Sequence, residues 1–81
     1  MGMLRILSRH GDERATWDLS NVAVGDPEAL AAVREAERIF NEARAKGATA
    51  FTVETDHSIK RMERFDQEAQ QIIMVPRVVG G

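Results

Sequence analysis

The chain starts with two segments whose apolar and polar residues are arranged as in β-strands. Residues 3–9 are mostly apolar, and in residues 14–19 polar positions alternate with Ala15 and Trp17. Both patterns are typical of β-strands. The glycine and acidic residues of segment 10–13 tolerate a tight reversal, so the pattern predicts an antiparallel hairpin.

The pattern then changes to a helical period. Asp26 supplies a side-chain acceptor for a helix cap, and Pro27 suits the first helical position. Apolar residues then recur every three or four positions, and most charged residues lie away from that stripe. Lys46 suits the negative end of the helix dipole, and Gly47 can take the left-handed cap conformation. The pattern predicts one long helix over about residues 27–46.

Two further apolar segments read as strands. Residues 49–54 alternate, with Phe51 and Val53 on one side, and the strand expected at about 71–75 contains the apolar run 72–75. The run ends where Pro76 removes a backbone donor.

Between these two strands the chain is a polar excursion. It contains a predicted short strand at residues 59–64 and a predicted capped turn of helix over residues 65–69, anchored by Phe65. A helix with one apolar stripe needs a sheet to cover it.

The order of elements predicts an α+β fold of the β-grasp type, a mixed sheet whose first and last strands are central parallel neighbours. The helix residues expected to pack on the sheet are Val33, Ala36, Ile39 and Phe40. The expected opposite side of the core consists of Trp17, Phe51, Phe65 and several of Leu4, Ile6, Ile73 and Val75. A ferredoxin-like α/β sandwich is the alternative, and it requires a second full helix between residues 55 and 70.

Length and composition narrow the class of protein. With 81 residues, 43% hydrophobic and 30% charged, the chain is expected to form a single domain over residues 1–75 and a tail over residues 76–81. The formal net charge of −2, with interleaved signs, favours neither nucleic acid nor a membrane as partner. The absence of cysteine excludes disulfides and thiolate metal sites, and we expect a cytoplasmic protein. We assign no role to Met1 and Gly2.

Few side chains suggest catalysis or metal binding. His10 and His57 have acidic neighbours and are the candidates for metal ligands or proton transfer, but their spacing matches no metal pattern, so surface hydrogen bonds are the favoured interpretation. Trp17 is interpreted as core rather than as a binding anchor. The basic cluster of Lys60, Arg61 and Arg64 is interpreted as solvated surface. We therefore predict no catalytic residue and no metal ligand.

The end of the sequence carries the most specific motif. An apolar strand leads through Pro76 to Gly80 and Gly81. With this ending the chain resembles the ubiquitin-like β-grasp proteins, especially the small sulfur carriers of molybdopterin and thiamine synthesis. The likeness covers most of the chain by element order and residues 72–81 by motif.

The resemblance implies that a separate adenylating enzyme activates the Gly81 carboxylate with ATP, for sulfur transfer or for conjugation to a target. The chain itself would then be neither an enzyme nor a cofactor binder. The implied partner-binding tail consists of Pro76, Arg77, Val78, Val79 and Gly80. The alternative function is a non-catalytic protein–protein interaction module that uses the sheet surface or an exposed strand edge. A small ligand-binding or metal-assisted enzyme has no motif in its favour.

Overall fold

The computed structural model describes residues 1–7 and 11–77, in which two helices lie against one mixed sheet. The elements are, in chain order, β1 (Gly2–Ile6), β2 (Glu13–Trp17), α1 (Leu19–Ala23), α2 (Pro27–Ala45), β3 (Thr49–Val53), β4 (Ile59–Met62) and β5 (Gln71–Val75). The strand order in the sheet is β2-β1-β5-β3-β4, with the last strand at its centre. The predicted α+β class and central last strand are confirmed.

The pairing of the strands follows the predicted scheme. β1 and β2 form the antiparallel hairpin, β1 and β5 are parallel, and β3 is antiparallel to both β5 and β4. The short strand predicted in the excursion is confirmed as β4. The excursion between residues 55 and 70 carries β4 and turns but no helix, so the ferredoxin-like alternative is wrong.

The long helix begins and ends where its sequence signals indicate. The Asp26 side chain accepts a hydrogen bond at 3.4 Å from the backbone N–H two residues on, and Pro27 holds the first helical position. Gly47 follows the helix with φ +96°, a conformation that other residues rarely adopt. The helix predicted over about residues 27–46 is confirmed as α2.

The core lies between α2 and the side of the sheet that faces it. On the helix Val33, Ala36 and Phe40 are buried, and Ile39 packs half-buried at the edge of the core. The buried strand residues with apolar side chains are Leu4, Trp17, Ala50, Ile72 and Met74, with Ile6 packed beside them. The predicted packing face of the helix is confirmed.

The face of strand β3 that packs against the helix is not the predicted one. Ala50 is fully buried against the helix side, and because side chains alternate along a strand, Phe51 lies half-buried on the opposite face. Ala36 of the helix is fully buried as well. The prediction that Phe51 joins the core is wrong, because the register pairs Ala50 with the buried Met74 and so turns Phe51 to the opposite face.

Strand β5 is also turned over relative to the prediction. It is apolar at four consecutive positions, so its sequence does not distinguish its two faces. Ile72 and Met74 are fully buried, whereas Ile73 is half-buried and Val75 exposed on the other side. Of the four residues from which several were expected to join the core, Leu4 and Ile6 do so, whereas Ile73 and Val75 do not.

A short helix that the sequence pattern did not predict, α1, follows β2. The Asp18 side chain caps it by accepting hydrogen bonds from the backbone N–H groups two and three residues on, at 2.9 and 3.2 Å. Leu19 and Val22 of α1 pack against the core. Placing Leu19 in the second strand was wrong, because the Asp18 cap starts a helix directly after Trp17.

The excursion returns to β5 through the predicted capped segment at residues 65–69. Asp66 accepts a hydrogen bond from the backbone N–H of Glu68 at 2.9 Å, and its carbonyl accepts one from Ala69 at 3.1 Å. The segment is capped as predicted, but it is a single hydrogen-bonded turn rather than a turn of helix.

Trp17 is the aromatic centre of this end of the core. It is 3% exposed, its ring centroid lies 5.5 Å from that of Phe65, and its indole N–H donates to the carbonyl of Gln67 at 2.8 Å. The ring of Phe65 also meets that of Phe40 edge-on at 5.8 Å. The interpretation of Trp17 as a core residue is confirmed.

Candidate functional site

The predicted tail begins at the end of the central strand. Val75 is 38% exposed, and Pro76 and Arg77 are exposed as well. Pro76 has no backbone N–H with which to continue the ladder of hydrogen bonds. The remaining tail residues lie outside the described residues: Val78, Val79, Gly80 and Gly81.

Arg77 lies against the C-terminal end of α2. A Cβ atom added at Gly47 would stand 3.0 Å from Cδ and 3.4 Å from Cβ of Arg77, so the Arg77 side chain lies close against Gly47. The C-terminal end of a helix carries partial negative charge, which favours a nearby cation. The base of the tail therefore rests on the helix cap.

A groove with both charged and apolar lining runs between the second half of α2 and the base of the tail. Its lining includes Ile6, Ile39, Glu42, Lys46, Pro76 and Arg77. Arg38 lines the groove from α2 and forms hydrogen bonds along the helix, to Glu42 at 2.7 Å and to Glu35. The hydrogen bond from Arg38 lowers the pKa of Glu35, and the hydrogen bonds to both acids raise the pKa of Arg38. All three side chains therefore keep their charges near neutral pH and pair with one another along the helix.

The face of the sheet turned away from both helices carries a continuous row of cross-strand neighbours. Arg14 of β2 pairs with Arg5 of β1, which pairs with Ile73 of β5. Ile73 pairs with Phe51 of β3, which pairs with Arg61 of β4. The apolar side chains occupy the middle of the row, and arginines occupy both ends. We call this helix-free surface of the five strands the open face.

The apolar middle of the row continues along the strands. Its neighbours on the open face are Met3, Val53, Ile59 and Val75. Ile59 is 65% exposed. Contiguous exposed apolar side chains mark interaction sites, whereas scattered ones are common on any protein surface.

Positive charge on the open face is only partly balanced. Arg5 Nε donates to the Asp12 carboxylate at 2.5 Å. Arg61 Nε lies 3.5 Å from Glu63 Oε1, but the other oxygen of Glu63 accepts a hydrogen bond from an arginine of α2 at 2.7 Å. Arg14 makes no ion pair within residues 1–7 and 11–77. The face is therefore positive, although the whole chain has a formal net charge of −2.

The histidines and their acidic neighbours do not form a site in the described structure. His57 is exposed in the turn between β3 and β4, and His10 lies outside the described residues. The hydroxyl of Ser58 donates to Asp56 at 2.6 Å, and this hydrogen bond lowers the pKa of the Asp56 carboxyl. No group of three His, Cys, Asp or Glu side chains is arranged to hold a metal ion in the part of the chain that is described.

Replacing His57 by glycine should stabilise the protein. His57 has φ +67° and closes the turn, donating its N–H to the carbonyl of Glu54 at 3.0 Å. This left-handed conformation costs a residue with a Cβ about 1–2 kcal/mol, part of which is offset because glycine is more flexible in the unfolded chain. We expect His57→Gly to raise the free energy of unfolding by about 0.5–1 kcal/mol, seen as a higher urea midpoint. His57→Ala, which keeps the Cβ, should bring no gain, and a glycine variant less stable than wild type would contradict the prediction.

Sequence reasoning missed the open face as a site. Arg61 was grouped with Lys60 and Arg64, and all three are exposed as expected for a solvated surface, but cross-strand neighbours depend on register. One signal was available in β2, where Arg14 and Trp17 are three residues apart and so lie on opposite faces. The burial of Trp17 therefore directs Arg14 away from the core.

Comparisons with known proteins add no relative from which function could be read. No protein-family model, no curated protein and no solved structure matches the chain. Neither α1 nor α2 combines the length and the apolar character needed to cross a membrane, among the residues that the structure describes. The base of the tail and the open face are thus the features from which a function can be argued.

Proposed function

We propose that the chain is a ubiquitin-like carrier or modifier of the β-grasp type, whose Gly81 carboxylate is adenylated by a separate enzyme. The observation that carries the proposal is the exposed base of the tail. The central strand β5 ends at Val75, and the two residues that follow it, Pro76 and Arg77, are exposed. Gly81 comes four residues after Arg77. A tail that starts at an exposed position can enter a partner's channel without unfolding of the domain.

The arrangement of helix and sheet supports the β-grasp assignment. One long helix, α2, covers a mixed sheet in which β1 and β5 are parallel and adjacent. This architecture is compatible with a β-grasp, in which the chain leaves the sheet from a central strand. In this geometry the tail extends from β5, which is hydrogen-bonded to a neighbouring strand on each side.

The proposed chemistry takes place in the partner. A carboxylate oxygen of Gly81 attacks the α-phosphorus of ATP, pyrophosphate leaves, and an acyl-adenylate remains. An amine that attacks the carbonyl carbon expels AMP, loses a proton to water and leaves an amide. In sulfur transfer, the terminal sulfur of a persulfide attacks the carbonyl carbon instead, expels AMP and leaves an acyl disulfide. A thiol then reduces the acyl disulfide to a thiocarboxylate.

The tail residues have distinct proposed roles in this scheme. Gly80 and Gly81 lack Cβ atoms and fit a narrow channel, while Pro76 limits the entropy lost when the tail docks. Arg77 offers a cation to an acidic wall of that channel. ATP belongs to the partner enzyme, and a sulfur acceptor or a conjugation target is the second partner. The scheme fits a cytoplasmic protein.

Intact mass spectrometry tests the proposal. The full chain is incubated with ATP and a lysate of its source, after its native form has been checked by mass for an end at Gly81. A carrier exchanges oxygen for sulfur, and a modifier yields larger conjugates. A variant without Gly80 and Gly81 should give neither product and should unfold at an unchanged urea concentration, because a tail beyond the sheet buries little surface.

Two controls sharpen the result. An ATP analogue with a methylene group between the α- and β-phosphorus cannot release pyrophosphate, so it should block both products. One alanine added after Gly81 should block them too. Equal product formation with and without the terminal glycines would overturn the proposal.

A second candidate function is a non-covalent interaction module without any chemistry at the tail. The open face favours it, because Phe51 and Ile73 offer apolar surface that the fold does not cover. This candidate predicts complexes that form without ATP and that survive removal of Gly80 and Gly81.

A further inference from the structure

We propose that the outer edge of β4 takes up an extended, acidic peptide of a partner protein as an additional strand of the sheet. β4 is the last strand in the order β2-β1-β5-β3-β4, so one of its edges has no neighbouring strand in the described part of the chain. The inference goes beyond the proposed function, because it needs neither the tail nor its carboxylate. The two ideas can therefore fail separately.

The pairing of β4 with β3 determines which backbone groups point outward. The N–H of Glu54 donates to the carbonyl of Ser58 at 2.8 Å, so the backbone of Ser58 points towards β3. This direction alternates along an antiparallel strand, so every second residue from Ser58 onward also points towards β3. Ile59 and Arg61 therefore direct their N–H and C=O groups away from the sheet.

These outward groups are free to pair with another strand. No turn or loop of residues 1–7 and 11–77 gives Ile59 or Arg61 a backbone hydrogen-bond partner, and Ile59 is 65% exposed. A row of unpaired backbone donors and acceptors is a template for an added strand. The phosphates of a nucleic acid accept hydrogen bonds but do not donate them, so they cannot pair with the outward carbonyls. The edge thus selects a peptide.

The side chains of β4 select the charge of that peptide. Lys60 and Arg61 are adjacent and exposed, and they lie on opposite faces of the strand. Lys60 makes no ion pair among the described residues. Glu63 lies 3.5 Å from Arg61 but also binds Arg44 at 2.7 Å. Carboxylates placed across from the two cations would stabilise an added strand.

A second copy of the chain fits this edge less well. Antiparallel pairing of two β4 strands would bring Lys60 and Arg61 of one copy beside those of the other, and lysine on a short edge strand is one device by which proteins prevent such pairing. The other edge strand, β2, carries both signs of charge, in Glu13 and Arg14. Of the two edges, β4 is therefore the one that favours an acidic peptide.

Selection of peptides by the full chain tests this inference. A phage-displayed library of random dodecapeptides is selected on the protein without ATP, so that activation of the tail plays no part. The enriched peptides are synthesised, and their dissociation constants are measured. We expect residues of high strand propensity with Asp or Glu at neighbouring positions, because these would lie across from Lys60 and Arg61.

Charge variants test the acidic preference. Lys60→Glu and Arg61→Glu should each weaken binding of the enriched peptides by about 5-fold or more. Salt at about 0.5 M should weaken binding to the wild-type chain by at least about 5-fold, because it screens exposed charges. Arg34→Glu, on the exposed side of α2, is the matched control and should bind like wild type.

Two further measurements test pairing with the backbone. Methyl groups on alternate amide nitrogens of the peptide should abolish binding in the set that faces β4 and leave it intact in the other set. Amide hydrogen exchange at Ile59 and Arg61 should slow by at least about 10-fold when the peptide binds. Thr16 on the opposite edge is the control. Its cross-strand partner Met3 donates its N–H to Gln70 on the far side, so the Thr16 amide also points outward.

The outcomes divide clearly. Acidic peptides that lose affinity with either charge reversal, follow the alternating methylation pattern and protect Ile59 and Arg61 support the inference. An empty selection, enriched peptides that are neutral or basic, or binding that ignores both reversals overturns it. Protection of Thr16 instead, or pairing of the chain with its own copy through β4, overturns it too. None of these results depends on the mass change that tests the proposed function.

Discussion

Phe40→Ala should lower the free energy of unfolding by about 3–5 kcal/mol, the usual cost of truncating a buried phenylalanine. Phe40 is 1% exposed at the centre of the core, and its ring packs edge-on against Phe65. Alanine would leave a cavity between α2 and the sheet that the surrounding core can fill only in part. The free energy of unfolding of a small domain is about 5–15 kcal/mol in total, so the variant should unfold at a much lower urea concentration.

Phe51→Ala is the matched control, because it removes the same atoms from the other face of the sheet. Phe51 is half-buried and covered by no helix, so its loss should cost less than half as much as the loss of Phe40. Circular dichroism during urea unfolding measures both variants. A greater loss for Phe51→Ala than for Phe40→Ala would show that the two faces of β3 have been assigned the wrong way round.

The features that follow from local sequence were predictable. The start of α2 depends on Asp26 and Pro27, and its end on Gly47, all of which act on adjacent backbone groups. The bounds of β5 are set by the apolar run and by Pro76, which are also local. Such signals need no knowledge of the rest of the chain.

The features that depend on distant residues were not predictable. The sequence of β5 is apolar on both faces, so the choice between Ile72 and Ile73 as the buried side chain is made by the register with β1 and by the helix. Helix α1 was missed for a different reason. Its five residues are too few to show a helical pattern, and its cap, Asp18, also fits a polar position of an alternating strand.

The same distinction between local and distant signals applies to the two candidate sites. The tail could be proposed from the sequence because its motif is contiguous, from Pro76 to Gly81. The open face could not, because Arg14, Phe51 and Arg61 become neighbours only through three separate strand pairings. The composition does not indicate the open face either, because a net charge of −2 for the whole chain hides the local excess of arginine on this face.

Gly2 is the clearest case of a role that its sequence context conceals. Nothing in the sequence around Gly2 indicates a role, yet Gly2 is buried in β1 opposite Trp17. A Cβ atom at Gly2 would come within 2.2 Å of both Cε2 and Nε1 of the indole. The indole ring cannot easily move aside, because it donates to Gln67 and packs against Phe65.

Gly2→Ala should therefore lower the free energy of unfolding by about 1–3 kcal/mol, as overpacking of a tight core does. Because Trp17 is the only tryptophan of the chain, its fluorescence reports directly on the displaced ring. In a Trp17→Phe background, which lacks the fused ring system, the same substitution should cost less than half as much. The difference between the two backgrounds is the coupling energy of the pair, measured by urea unfolding of all four proteins. An equal loss in both backgrounds would mean that Gly2 is required for its backbone and not for the space that it leaves to the indole.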